Sequence, residues 1–506
     1  MISIFISPGG TMSQQKIDWS AMWKKEDWWA LWLGLLIFFL GLGPFANISL
    51  IGWNWHGNVW IDITKAISPN NKMYEWVGWG SLVLQYIFLL VLLCIGAYAM
   101  KYNLKKFAAG FTFIYWATAI IWIIGCWGYS AAVPTWDPKL GRAVPKVGNV
   151  VLPFSLGLTP EGGFVYLLIV GLIIRNAFRG FAEKLLDAAR PEWYIKTAIV
   201  LLGTTIGVKA AGALGYAMVV LFRGLCAIVE AYLIYWPLVY FISRKYFKMT
   251  KEWAAPLASG ISVCGVSAAI ATGAAVKSRP FIPITLSSII VAFAVVELLI
   301  LPWLSWALYP TFSGMVMGAW MGLAVKTDGA AAASGALVDA LIRAKAAGMG
   351  LNLESGWMLT AAITTKIFID IFIGVWAFVL AVIWVTWIER KPGEKVRKLE
   401  IWFRFPKFII GYFITFLVML AIAASSSAAA KLANAAMGEI DPIRVFFFAM
   451  TFFSIGLVTD FRVFRKEGLG KVIVVYLICL FGFILWIGLF ISWIFFHNVP
   501  VPLAKG

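Results

Sequence analysis

The chain has 506 residues, 62% of them hydrophobic and only 13% charged, with a formal net charge of +18. Apolar runs about as long as a bilayer-spanning helix recur along it, which excludes a soluble globular domain and a disordered chain and implies a polytopic membrane protein. The basic residues fall in short clusters between apolar runs, so the charge marks loops on one side of a membrane and not a nucleic-acid surface.

The opening "MISIFISPGGTM" lacks the apolar core of a cleavable signal, so none is expected. The apolar runs exceed the about 9–11 residues of a barrel strand and do not alternate with period two, so the spans are helices. Thirteen crossings are predicted, at roughly 29–50, 77–100, 107–127, 160–175, 192–208, 212–242, 253–276, 282–307, 316–338, 357–387, 405–430, 443–459 and 472–496. The fold class is thus all-α and polytopic, with small-residue or broken segments inside a transporter-like core. Alternating the loops from a cytoplasmic N-terminus puts "MWKKEDWW", "KYNLKK", "RNAFRGFAEKLLDAAR", "SRKYFKMTK", "IERKPGEKVRKLEIWFRFPK" and "DFRVFRKEGLGK" on one side. The clusters "KSRP" and Arg343 with Lys345 are exceptions in this scheme. The loop 388–407 returns to the inner side only if 253–276 and 316–338 both cross or both fail to cross. Tryptophans at predicted helix ends, as in "DWWALW" and "IWVTWIER", read as an interfacial aromatic belt. The polar, proline-bearing loop 128–159 is expected outside.

Cys94, Cys126, Cys226, Cys264 and Cys479 are scattered and form no CxxC pair, and His56 and His497 lie outside the long apolar runs. Neither a disulfide framework nor a metal or haem site is expected. No cofactor is expected either. An enzyme is not expected, because no nucleophile–base constellation or phosphate loop is present.

The segment "GISVCGVSAAIATGAAV" (260–276) aligns without gaps on "GLAVKTDGAAAASGALV" (322–338) with 8 of 17 identities. Paired glycine-interrupted segments point to a transporter's binding site, since glycine lets a helix unwind and freed N–H groups then need an anion or water. Close helix packing through small residues, as between Gly265 and Ala269, is the alternative reading. The first copy contributes Cys264, Gly265, Ser267 and Thr272; the second contributes Lys326, Thr327, Asp328, Gly329 and Ser334. Charged residues at membrane depth usually face a cavity or a partner. Lys366 and Asp370 are four apart and share a helix face, where they can pair. Arg223 and Glu230 lie seven apart, about 10.5 Å along a helix axis, so each needs a partner elsewhere. Glu297 is a lone carboxylate in "VAFAVVELLILPW".

In "GLIIRN" (171–176), "IVLLGTTIGV" (199–208), "SVCGVSA" (262–268), "KFIIGYFI" and "FFFAMTFFSIGLVTDFRVFRKEGL", taken in order, the chain resembles the YeiH-type sulfate exporter family of the cation/proton antiporter and anion transporter fold class, over about residues 107–497. The match to "SVCGVSA" is the most specific. "KTDGAAAASG" departs from the family's usual pair before the second small-residue stretch, which leaves the substrate in question. The resemblance implies a secondary transporter with two structural repeats, a mobile core and a scaffold that often dimerises. Residues 1–105 then form an N-terminal extension with two spans, 106–497 the transporter core and 498–506 a short tail.

The expected function is export of a small anion, sulfate-like or a sulfonate or carboxylate, across a bacterial inner membrane. Cys264, Gly265, Ser267, Lys326, Thr327, Gly329 and Ser334 are the candidates for binding it. Asp328, Lys366, Asp370 and Glu230 are candidates for coupling to sodium or protons. The alternatives are a sodium or proton antiporter that moves no anion, and a non-transporting membrane subunit with co-purifying partners. The expected partners are the small anion, a coupling sodium ion or proton, the lipid bilayer and a second copy of the chain; no nucleic acid is expected.

Overall fold

A computed structural model describes residues 19–132, 134–137, 142–156, 160, 163–212, 214–276, 278–279, 281–384, 388, 407–462 and 469–504. The protein is mostly helical. Among the described residues, eight helices are long and apolar enough to cross a membrane, and nine if the pair Gly163–Ala177 and Arg179–Leu185, bent by 118°, is one span. Pro191–Gly212 and Phe281–Leu308 add helices of 22 and 28 residues that lie among the others. The expected thirteen crossings do not carry over, because two of those segments turn back within the bundle.

The first of these is built from the helices Lys251–Ser262 and Val266–Ala275. Thr272 Oγ1 donates to Ser259 Oγ at 2.6 Å, and Ser278 Oγ donates to the Glu252 carbonyl at 2.9 Å. Residues 13 apart on one straight helix would be about 20 Å apart at 1.5 Å per residue. The two arms therefore run side by side as a re-entrant hairpin whose tip is Val263–Gly265. Gly260 permits the packing: a Cβ there would sit 3.4 Å from Ala269 Cβ and 2.4 Å from Ile290 Cδ1.

The second hairpin pairs Gly314–Ala324 with Asp328–Gly348 around a tip at Val325–Thr327. Both arms lie along the helix Trp357–Ile371. Gly318 and Gly322 meet Met358 and Ala362 on the way in, and Gly335 meets Ala362 on the way out. Beyond that, Asp339 reaches the amides of Gly356 and Met358, and Lys345 donates to the carbonyls of Trp306, at 2.8 Å, and Tyr309.

The bases of the hairpins lie at opposite ends of Phe281–Leu308, beside Ser278 for the first and beside Tyr309 for the second. Their first arms of 12 and 11 residues reach about 18 and 16 Å, which together match a hydrocarbon core of about 30 Å. Two half-depth hairpins entering from opposite faces consequently meet near the middle. Since both fail to cross, the orientation of the chain beyond them is kept. The exception "KSRP" is also explained: Arg279 pairs with Glu252 at 3.0 Å, on the same face as Lys248 and Lys251. That basic face also holds Arg190 and Lys196, which pair with Glu26 and Asp27 at 3.5 and 3.6 Å. Most of 388–407, and residues 463–468 of the last basic cluster, lie outside the described residues.

The remaining helices form the wall against which the hairpins pack. Pro191–Gly212 lies between Phe408–Ser425, Ser427–Val458 and the N-terminal Glu26–Gly41. Close approach is made by small residues, since a Cβ on Gly203 would fall 2.1 Å from Thr415 Oγ1 and one on Gly34 2.4 Å from Val200 Cγ1. Ser427–Val458 runs 32 residues and starts well before the expected 443, capped by Ser426, whose Oγ accepts from Ala429 N. Its alanine-rich first half has high helix propensity but too little hydropathy to register as a span. The loop expected at 128–159 carries the antiparallel strands Pro134–Asp137, Arg142–Val147 and Val150–Val151, and Trp55–Gly57 pairs with Ile67–Pro69. Asn54 and Asn70 donate to the carbonyls of Glu439 and Gly438, which ties this N-terminal part to the long helix.

Candidate functional site

The hairpin tips meet backbone to backbone. Gly265 has φ +66°, and a Cβ on it would lie 2.9 Å from the Lys326 carbonyl oxygen and 3.1 Å from Thr327 Cγ2. Only glycine takes both the left-handed conformation and the contact without strain. The two sequence echoes, 62 positions apart, thus face each other in space. The return helices Val266–Ala275 and Asp328–Gly348 both begin here, so two positive helix ends converge. Thr327 caps the second, accepting from Ala330 N at 3.2 Å.

The incoming arms end at the same place and leave carbonyls without helical partners. Lys366, buried on the neighbouring helix, donates from Nζ to the Val263 carbonyl at 2.8 Å and to the Val325 carbonyl at 3.2 Å. One ammonium therefore ties both tips together and compensates two negative helix ends. Glu297 supplies the counterpart for a freed amide: its Oε2 accepts from Lys326 N at 3.1 Å and its Oε1 from Tyr476 Oη at 3.0 Å. Sequence reasoning left Glu297 without a role, because its partner lies 29 residues away on an unwound tip.

The expected site residues divide accordingly. Cys264, Gly265, Lys326 and Thr327 form the tips, and Lys366 braces them. Ser334 is fully buried, and its hydroxyl has no partner among the described residues; the same holds for Ser262 beside the first tip. Lys326 is buried with its ammonium on the Leu323 carbonyl, 4.7 Å from the centre of the Tyr235 ring. It is not among the residues that line the Lys366 chamber described below. The side chains of Ser267 and Asp328 and the surroundings of Gly329 lie outside the described residues. Arg223 is not at the site: it donates to the Phe495 carbonyl at 2.6 Å and to Asn498, the partner on another helix that its spacing demanded.

A cavity of about 510 Å³ opens above the tips, on the face opposite the basic one, and is lined by His56, Asp339, Arg343, Asp441 and Arg444 among others. Both arginines are held by carboxylates: Arg343 Nε to Asp339 at 2.8 Å and Arg444 Nε to Asp441 at 2.7 Å. Thr205 also donates to Asp441, at 2.8 Å. Burial holds the His56 imidazole below its ordinary pKa. The sequence offered the i,i+4 pair Asp339 and Arg343 as a signal, but their place on a hairpin arm was hidden by the expected loop there.

Leu202, Ala336 and Leu359 close the floor of this cavity. One helical turn deeper on each of the same three helices, Ile199, Ala332 and Ile363 line a second cavity of about 10 Å³ together with Lys366 and Asp370. That volume is at the lower limit for a single water, about 10–15 Å³. The linings of the two cavities thus stand one helical turn apart on the same three helices.

A sequence model of the family described as "Conserved hypothetical protein 698" matches residues 162–475. The chain is 42% identical over 494 residues to "UPF0324 membrane protein NE0724" of Nitrosomonas europaea, covering 96% of this chain and 98% of that protein, N-terminal spans included. It is 54% identical over 193 residues to an "Uncharacterized protein" of Archaeoglobus fulgidus, a third of this chain and all of that protein. To "UPF0324 membrane protein RB9488" of Rhodopirellula baltica it is 34% identical over 306 residues, 59% of this chain and 51% of that one. No solved structure matches. The apolar spans and these matches together make the chain an integral membrane protein that belongs to the conserved hypothetical protein 698 family, the UPF0324 membrane proteins.

Proposed function

We propose that the chain is a secondary transporter that carries a small anion, sulfate-like or a sulfonate or carboxylate, by alternating access at the hairpin tips. The observation that carries this reading is the meeting of two opposed half-depth hairpins in the middle of the bundle. Irregular backbone at that depth is tolerated only where it is buried in protein or lines a cavity, and here it presents two positive helix ends. The unpartnered hydroxyls of Ser262 and Ser334 supply donors that an anion can use. Lys366 keeps the site positive while holding it together.

The chamber of about 10 Å³ is too small for an anion, so loading requires the hairpins to move relative to the wall formed by Ile199 and Phe408. The outer cavity is the entrance or exit on one side. The basic face is cytoplasmic in this reading, which also places the N-terminus inside. Export, homodimerisation and a bacterial inner membrane follow from the resemblance to the exporter family, and the chain performs no enzymatic reaction.

Purified protein in proteoliposomes should accumulate radiolabelled sulfate, or a small sulfonate or carboxylate, down an imposed gradient. Lys366→Met should cut that flux at least tenfold while size-exclusion behaviour is kept. Absence of flux for all three anions, or a folded Lys366→Met variant that matches the wild type, overturns the reading.

A further inference from the structure

Beside Lys326 lies a second buried polar cluster, outside the lining of the Lys366 chamber. Glu230 sits at 0% exposure in the π-helical turn Val229–Tyr235. Neither of its carboxylate oxygens has a hydrogen-bond partner among the described residues. In an α-helix, residues five apart do not share a face; the i→i+5 bonding of the π turn brings Glu230 and Tyr235 together. Both flank Gly488, where a Cβ would lie 2.9 Å from Tyr235 Oη and 3.2 Å from Glu230 Oε1. The Tyr235 hydroxyl gives its proton to the Ile484 carbonyl at 2.7 Å, a group in the second π-helical turn, Leu480–Ile484. It therefore presents only lone pairs to the carboxyl group beside it.

The surrounding groups decide which form of Glu230 is stable. Cys226 and Tyr235 of its own helix and Lys326 of the second tip act on Glu230 directly; Lys326 is faced in turn by Glu297 of Phe281–Leu308 and Lys366 of Trp357–Ile371, and Glu297 by Tyr476. The first hairpin's nearest polar group, Ser259, is already engaged by Trp236 and Thr272. Glu297 accepts at both oxygens, from Lys326 N and Tyr476 Oη, donors that favour its anion. The Lys326 ammonium is within electrostatic reach of Glu230, Glu297 and Lys366 at once, and its hydrogen bond goes to Leu323. A buried carboxylate without donors is strongly disfavoured, whereas a carboxylic acid there gains an acceptor in Tyr235 Oη. Two carboxyl groups in one cluster, one supplied with donors and one with acceptors, are the arrangement that divides them into anion and acid.

We propose that Glu230 is a proton-binding site: it carries a proton in the conformation seen here and releases it when the second tip moves, so that proton movement is coupled to the cycle. The coupling half rests on the transporter reading; the protonated state does not. Moving the tip takes Lys326 with it, and bringing that ammonium onto Glu230 would replace the proton as its counter-charge.

Infrared difference spectra of the purified protein between acidic and alkaline buffer test the site directly. A protonated-carboxyl stretch should persist in neutral buffer, disappear in Glu230→Gln, remain in Glu297→Gln, and shift in Tyr235→Phe, which removes the acceptor oxygen and serves if Glu230→Gln does not fold. Exchange of choline for sodium should leave the band in place. A band unchanged in Glu230→Gln or Tyr235→Phe, none in the neutral wild type, or its loss on adding sodium overturns the proposal. In proteoliposomes with an internal pH dye, sulfate flux should move protons in the wild type and not in Glu230→Gln. Sulfate flux with no proton movement in the wild type overturns the coupling. No flux of sulfate, sulfonate or carboxylate together with a Glu230-dependent band defeats the transport reading and supports the proton site.

Discussion

Gly265 and Gly273 belong to the same small-residue stretch but do different work. Gly265 has a left-handed backbone and touches the Lys326 carbonyl, so it makes the turn and admits the second tip. Gly273 is an ordinary helical residue whose missing Cβ makes room for Pro283 Cγ, 2.7 Å from where that atom would be. Gly265→Ala should destabilise the protein by about 1–3 kcal/mol through backbone strain alone, lowering the thermal midpoint of the detergent-solubilised protein. The residue types of the site were legible in the sequence: Gly265, Lys326, Thr327 and Lys366 all lie at the tips. Their roles were not, because a lysine's target depends on where unpaired carbonyls end up. Lys366 donates to carbonyls 103 and 41 residues away, which the i,i+4 spacing to Asp370 does not announce.

At the scale of elements, the decisive feature is that each echo is a hairpin and not a crossing. A hydropathy window sees the same run of apolar residues whether the chain continues or returns, since both forms bury the same side chains. The interarm contact gives a direct test. Ser259→Cys with Thr272→Cys, in a Cys264→Ala background, should form a disulfide under mild oxidation, because the hydroxyls they replace are 2.6 Å apart. A single crossing helix would hold those positions about 20 Å apart and give no cross-link. The π turns at Val229–Tyr235 and Leu480–Ile484 were equally invisible to periodicity, which registers only sustained runs.

For the whole molecule, the hairpins enter from opposite ends of Phe281–Leu308, so the two echoing segments are inverted relative to one another. This inversion also predicts which loops share a face. A membrane-impermeant maleimide should label Lys248→Cys and Arg279→Cys from one side and Met349→Cys from the other, all three positions being exposed. Thirteen true crossings would put Arg279 and Lys248 on opposite sides. Composition and local pattern are properties of the chain alone, and they suffice for a helical membrane protein, for its apolar segments and for the match between 260–276 and 322–338. That these segments turn back, that they enter from opposite ends of Phe281–Leu308, and that Lys366 and Glu297 satisfy the groups their tips expose emerges from the packing of the folded chain. The physical reason is that an unwound tip is stable only once its freed carbonyls and amides find partners, and those partners lie on helices distant in sequence.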